Sequence, residues 1–184
     1  PNGIDVGAYE PSPGVPGRVA FLGRDDPRKG LDVLLAAWPQ VFAAIPTAEL
    51  VVAAGERSEE MEGVRFVTVP EGDKRAYLQD AAIYCAPNLG GESFGIVLVE
   101  GMAAGCAVVA SALPAFAHVL GGTGVLTKPG DVDGLAGALI RVLGDDALCH
   151  DLQRRAIDRV AIFDRAAVLE GYLAAYRAAM SRVG

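Results

Sequence analysis

Two short stretches carry side chains able to hold an anion that bears sugars. In the first, Gly90-Gly91-Glu92-Ser93-Phe94-Gly95-Ile96-Val97-Leu98-Val99-Glu100, a glycine-rich turn precedes an apolar helix and two carboxylates stand eight positions apart. On one continuous helix they would differ by about 80° around the axis. With a helix start near Ser93, Glu92 lies at the helix mouth and Glu100 two turns inside. The backbone N–H groups of Phe94, Gly95 and Ile96 then have no intrahelical acceptor and suit an anion. A diphosphate at the helix start, with one carboxylate for each flanking sugar, is a nucleotide-sugar geometry.

The second stretch is Gly23-Arg24-Asp25-Asp26-Pro27-Arg28-Lys29-Gly30. Gly23 lets the chain turn, and Arg24 and Lys29 can converge on one phosphate from the two ends of the loop. A charge-assisted hydrogen bond contributes about 1.5–3 kcal/mol, and more where it strengthens as charge develops. Glu100, among Val97, Leu98, Val99 and Met102, is a carboxylate in apolar company and needs a partner. A vicinal diol suits it, because two oxygens meet two donors.

These loops must be held by the elements around them. Pro11 to Gly17 reads as a loop, and Arg18 to Leu22 as a buried strand. Leu31, Leu34, Leu35, Trp38, Val41, Phe42 and Ile45 repeat at helical spacing, with Pro39 bending the helix and Pro46 ending it. Strands are expected at Glu49–Ala54, Val64–Val69 and Ile83–Ala86, with an amphipathic helix over Gly72–Ala82. After the apolar helix come strand Ala107–Ala110, helix Pro114–Leu120 and strand Gly124–Leu126. Asp131 caps a helix to Leu143, and two more helices cover about 145–161 and 165–182. The last places Leu169, Tyr172, Leu173, Tyr176 and Met180 on one side. Short apolar strands alternating with helices make an α/β fold with a parallel sheet covered on both faces. Ligands of such sheets lie beyond the strand carboxyl ends, where both loops fall.

The chain has 184 residues, 52% apolar and 21% charged, with a net charge of −7, so it suits one globular domain. That charge argues against nucleic-acid binding and against electrostatic docking of this domain on anionic lipid. Cys85, Cys106 and Cys149 read as unpaired thiols of a reducing cytoplasm. No apolar run reaches the length of a membrane span. Asp131-Val132-Asp133 reads as a helix cap rather than a metal-binding Asp-x-Asp pair. His118 and His150 lack zinc-ligand spacing. Gly121-Gly122-Thr123-Gly124 is a turn, not a dinucleotide fingerprint. No visible motif requires a divalent metal or a tightly bound cofactor.

GGESFGIVLVE followed by GMAAGCAVVAS resembles the donor-site signature of group 1 glycosyltransferases, retaining enzymes of the two-domain GT-B fold. From Tyr84 to Ser111 the string is most similar to actinobacterial phosphatidylinositol mannosyltransferases. The resemblance implies a Rossmann-like parallel sheet with helices on both faces, one half of a GT-B enzyme. It implies a linker and loop over 1–17 and a nucleotide-sugar-binding domain over 18–162. A terminal helix over 163–184 would pack toward an amino-terminal domain outside this chain. The implied donor is GDP-mannose and the implied acceptor a membrane lipid such as phosphatidylinositol, reached from the cytoplasm or the inner membrane face. Arg24, Lys29 and Glu92 carry the implied catalytic roles. Gly23, Val69, Gly91, Ser93, Phe94, Gly95, Ile96 and Glu100 carry the binding roles, with the base near Val69 and Pro70, Glu92 on the transferred hexose and Glu100 on the ribose. The chain departs from that family in three places. The Arg24-to-Lys29 step matches the broad family but is one residue shorter than in the phosphatidylinositol mannosyltransferases, Gly55–Val64 has room only for a loop or a single turn, and Phe163-Asp164-Arg165 stands where the mannosyltransferases have a Tyr-Asp-Trp run. A nucleotide-sugar hydrolase or epimerase of the same fold and a non-catalytic binding module are the alternative readings.

Overall fold

The computed structural model describes residues 3–180, so Pro1-Asn2 and the chain end after Met180 lie outside the described residues, as does the side chain of Tyr176. Six strands form one wholly parallel sheet: β1 Val15–Leu22, β2 Glu49–Ala53, β3 Val64–Phe66, β4 Ala81–Ala86, β5 Ala107–Ser111 and β6 Val125–Thr127. Their order, β3-β2-β1-β4-β5-β6, is that of a Rossmann sheet, in which the chain reverses direction between β1 and β4. Seven α-helices lie among the described residues: α1 Leu31–Ala44, α2 Lys74–Gln79, α3 Ile96–Ala104, α4 Pro114–Leu120, α5 Val132–Leu143, α6 Asp146–Val160 and α7 Arg165–Met180.

Alternation along the strands builds two cores. Val19, Phe21, Leu50, Val52, Ile83 and Cys85 point to the face covered by α1 and α5, where Leu34, Trp38, Leu135 and Leu139 bury them. Ala20, Tyr84, Ala86 and Val108 point to the other face, under α3 and α4, with Leu98, Met102, Phe116 and Val119. Residues two apart share a face, so one run of small and branched residues serves both layers. Cys85 and Cys106 are buried free thiols, and burial pushes the Cys106 thiol up to about 12.

Several elements differ from their expected bounds. α1 carries Pro39 on its exposed side and ends at Ala44, one residue earlier than its apolar spacing suggests. β3 is only three residues long, Val64–Phe66, and one further hydrogen bond, from Val67 N–H to the Val52 carbonyl at 2.8 Å, ties the chain to β2 beyond it. The helix expected over Gly72–Ala82 shrinks to α2, because Ala81 and Ala82 join β4. The opening segment is woven into the domain: Ile4 N–H donates to the Phe163 carbonyl at 3.0 Å, and Arg165 N–H donates to the Ile4 carbonyl at 2.8 Å. Asp131 does cap α5, accepting from Gly134 N–H at 2.9 Å. Asp131→Ala is expected to cost about 1 kcal/mol, read as a lower denaturant midpoint with unchanged slope.

Candidate functional site

The loops after β1 and β4 meet at the carboxyl end of the sheet, where the strand order reverses. Backbone contact joins them. Leu89 N–H donates to the Arg28 carbonyl at 2.8 Å, and Gly30, at φ 72°, lies so close to Pro87 that a Cβ would overlap its carbonyl oxygen. The β1 loop is also braced from within. Asp26 caps the short turn Pro27–Lys29 by accepting from Arg28 N–H at 2.9 Å, and it pairs with the Arg28 guanidinium at 2.7 Å. That partner holds the Asp26 carboxyl down to about 2. Arg28 is therefore committed to the loop's own structure, whereas Arg24 is exposed and has no ion pair among the described residues.

A cleft of about 800 Å³ opens beside these loops, lined by Gly23, Arg24, Lys29, Val69 and Val97 among others, a volume typical of small-ligand sites. A smaller cavity of about 80 Å³ shares Leu22, Lys29 and Val97 with it and adds Glu92, Gly95 and Ile96. Lys29 Nζ lies 2.9 Å from Glu92 Oε2, so the two signature loops also meet through their charged side chains. Gly91, Ser93, Phe94 and Glu100 line neither cavity. Gly91, at φ 69°, packs on the Arg28 side chain, and Ser93 is exposed. The Phe94 ring meets Phe163 edge-on at 5.8 Å, which ties the signature loop to the chain's last third.

The helix after the signature turn begins at Ile96, not near Ser93. Gly95 sits at φ 86° in the left-handed region, which a continuing helix cannot use, and its N–H donates to Glu92 Oε1 at 3.2 Å. The Gly95 amide is thus taken by a carboxylate, and the first-turn amides are those of Ile96 and Val97. Glu100 consequently stands a little over one turn into α3 rather than two. No room exists for a side chain at Gly95, where a Cβ would press on the Phe116 ring at 2.8 Å.

Glu100 is half-buried, with no hydrogen bond or ion pair to any described residue. Burial holds its carboxyl above the usual range; Lys74 opposes that shift and Glu71 adds to it. A carboxyl raised in the folded state favours folding while it is protonated, and that contribution is lost as pH rises through the raised value. Glu100→Gln is therefore expected to raise the melting temperature at neutral pH, with the gain shrinking as pH falls through the raised value and gone below the ordinary value of about 4.5. The same variant is expected to weaken nucleotide binding, as titration would show.

Three residues of the site were not legible in its motifs. Asn88, 5% exposed, donates to Glu92 Oε2 at 3.3 Å. Lys74 lines the large cleft and pairs with Glu71 at 2.7 Å. Arg57, on the loop after β2, lines the same cleft and is shared by Asp32 at 2.7 Å, Glu59 at 2.5 Å and Asp25 at 3.4 Å. It fastens the shortened Gly55–Val64 loop to the β1 loop. All three lie in connections that follow strands, Asn88 after β4, Arg57 after β2 and Lys74 at the start of α2 after β3. His118 and His150 line neither cavity.

Residues 16–145 match the family described as Glycosyl transferases group 1. Phosphatidyl-myo-inositol mannosyltransferase of Mycolicibacterium smegmatis is 49% identical over 182 residues, covering 89% of this chain and 47% of that protein. The protein of the same name from Mycobacterium tuberculosis is 43% identical over 170 residues, covering 80% of this chain and 45% of the relative. The chain thus spans about half the length of these curated relatives. Among solved structures, sucrose-phosphate synthase from Thermosynechococcus elongatus superposes with a TM-score of 0.79 at 28% identity, over 99% of this chain and 52% of that one. Anabaena HepE in complex with UDP-glucose gives 0.81 at 20% identity, over 96% of this chain and 56% of its own, a likeness of fold.

Proposed function

Since the chain belongs to the group 1 glycosyl transferases, we propose that it is the donor-binding half of a retaining mannosyltransferase that uses GDP-mannose and a phosphatidylinositol-type lipid acceptor. The observation that carries this reading is the pairing of Lys29 with Glu92 at the sheet's reversal point, beside a cleft of nucleotide size that Lys29 lines together with Arg24. The names of the mycobacterial relatives support mannose and the lipid acceptor.

In this account the guanine lies in the cleft near Val69, the ribose hydroxyls donate to Glu100, and the diphosphate meets Arg24, Lys29 and the first-turn amides of Ile96 and Val97. Glu92 accepts from hydroxyls of the mannose. Transfer breaks the bond between the sugar's anomeric carbon and the diphosphate oxygen and forms one from that carbon to the acceptor oxygen on the same face. The acceptor's proton passes to the departing diphosphate. Arg24 and Lys29 stabilise the charge that grows on the leaving group, a preorganised effect that needs no bound metal in this account.

An amino-terminal domain would supply the acceptor site. Leu169, Leu173 and Met180 are exposed on α7 at 57%, 44% and 60%, a stripe suited to being covered by such a domain. Among the described residues no helix is long and apolar enough to cross a membrane, and the account places the enzyme in the cytoplasm, peripheral to the inner membrane face. Product analysis with the longer protein, GDP-mannose and phosphatidylinositol tests the reaction. A mannolipid of retained anomeric configuration is expected, and release of free mannose in its place would assign a hydrolase. The 184-residue chain alone is expected to bind without transferring.

A further inference from the structure

Lys29 and Glu92, assigned above to different parts of the donor, hold each other. We propose that their ion pair is a latch by which the site discriminates the intact nucleotide sugar from the nucleoside diphosphate it leaves behind. The inference rests on the donor reading and deepens it.

Both Glu92 oxygens are engaged. Oε2 accepts from Lys29 Nζ at 2.9 Å and Asn88 Nδ2 at 3.3 Å, while Oε1 accepts from Gly95 N–H at 3.2 Å. Both charged side chains are largely withdrawn from water, at 30% exposure for Lys29 and 19% for Glu92, so the pair is poorly screened. The backbone cannot part them. Gly30 is pressed against Pro87, and the Leu89-to-Arg28 hydrogen bond stitches the two loops. Opening is therefore an event of the Lys29 side chain alone.

The two ligands meet this latch differently. A nucleoside diphosphate offers Lys29 an anion but gives Glu92 nothing. Binding then leaves a carboxylate beside a phosphate, eased only by Asn88 and the Gly95 amide. A nucleotide sugar offers both: phosphate oxygens for Lys29, and sugar hydroxyls that donate to the Glu92 oxygen from which Lys29 withdrew. Like-charge cost is thus borne by the product and relieved in the substrate, which favours release of the spent diphosphate after transfer.

The test is calorimetric titration of the 184-residue chain, Glu92→Gln and Lys29→Met with GDP and with GDP-mannose, alongside thermal melts showing that each variant folds. Glu92→Gln, nearly isosteric, is expected to bind GDP about five-fold more tightly than the parent, because breaking a partly exposed ion pair no longer opposes binding. It is expected to bind GDP-mannose no more tightly than the parent. Lys29→Met is expected to weaken both ligands. If the parent binds nucleotide while Glu92→Gln binds GDP equally or more weakly, the latch is overturned and the donor reading stands. If neither ligand binds the folded parent or Glu92→Gln, both fall together.

Discussion

Gly30→Ala is expected to destabilise the domain by about 3 kcal/mol and to abolish tight nucleotide binding. Gly30 is held at φ 72°, where an L side chain costs about 1–2 kcal/mol. Its added Cβ would also run into the carbonyl oxygen of Pro87. That atom is backbone and cannot rotate away, so the two loops must separate, at a further cost of about 1–3 kcal/mol for a forced backbone shift. Gly30 ends the turn that carries Lys29, and Pro87 precedes the Asn88 that supports Glu92. Their separation pulls the two halves of the site apart. For a domain of this size a loss of about 3 kcal/mol lowers the melting temperature by roughly 6–12 °C, which a thermal melt would detect. A melting temperature within a degree of the parent would mean that the loops are not locked as described.

Arg24→Ala is expected to have the opposite profile: no effect on folding and a large effect on chemistry. Arg24 is exposed and forms no ion pair among the described residues, so its loss should change stability by no more than about 0.5 kcal/mol. In the longer protein, transfer is expected to fall by about 10²–10³-fold, the magnitude of losing one donor to charge developing in the transition state. Nucleoside diphosphate affinity should fall by only about ten-fold, since ground-state binding loses one charge-assisted hydrogen bond. Steady-state rates measured beside nucleotide affinity would separate the two effects. Equal losses in both would make Arg24 a binding residue with no added transition-state role.

The fold was legible because its strands are short apolar runs and its helices carry clear spacing. Pro114–Leu120 and the Asp131 cap fall where the residues place them. Pattern was least informative where tertiary pairing sets the boundary. Ala81 and Ala82 fit a helix or a strand equally well by composition, and hydrogen bonding beside β1 makes them strand. The start of α3 was missed for a related reason. A glycine-rich turn does not announce which glycine adopts the left-handed conformation, and Gly95 does so with the Glu92 carboxylate seated on its amide.

The site was half legible. Loops of mixed glycine and charge announced Arg24, Lys29 and Glu92, but not that Lys29 and Glu92 pair. Arg57 and Lys74 escaped because each lies in an acidic, unpatterned stretch. Only the placement of β2 beside β1 and of β3 beside β2 brings them to the same cleft. The three acids around Arg57 show how a loop too short for a helix is still fixed against the β1 loop.

Whether the cleft at the β1–β4 reversal takes a guanine nucleotide by its diphosphate is decided by calorimetric titration of this chain with GDP, UDP and ADP without divalent metal, repeated for Arg24→Ala. GDP is expected to bind in preference to UDP and ADP, and about ten-fold more weakly in the variant. Absence of binding to all three nucleotides, or GDP binding that Arg24→Ala leaves unchanged, would contradict that expectation.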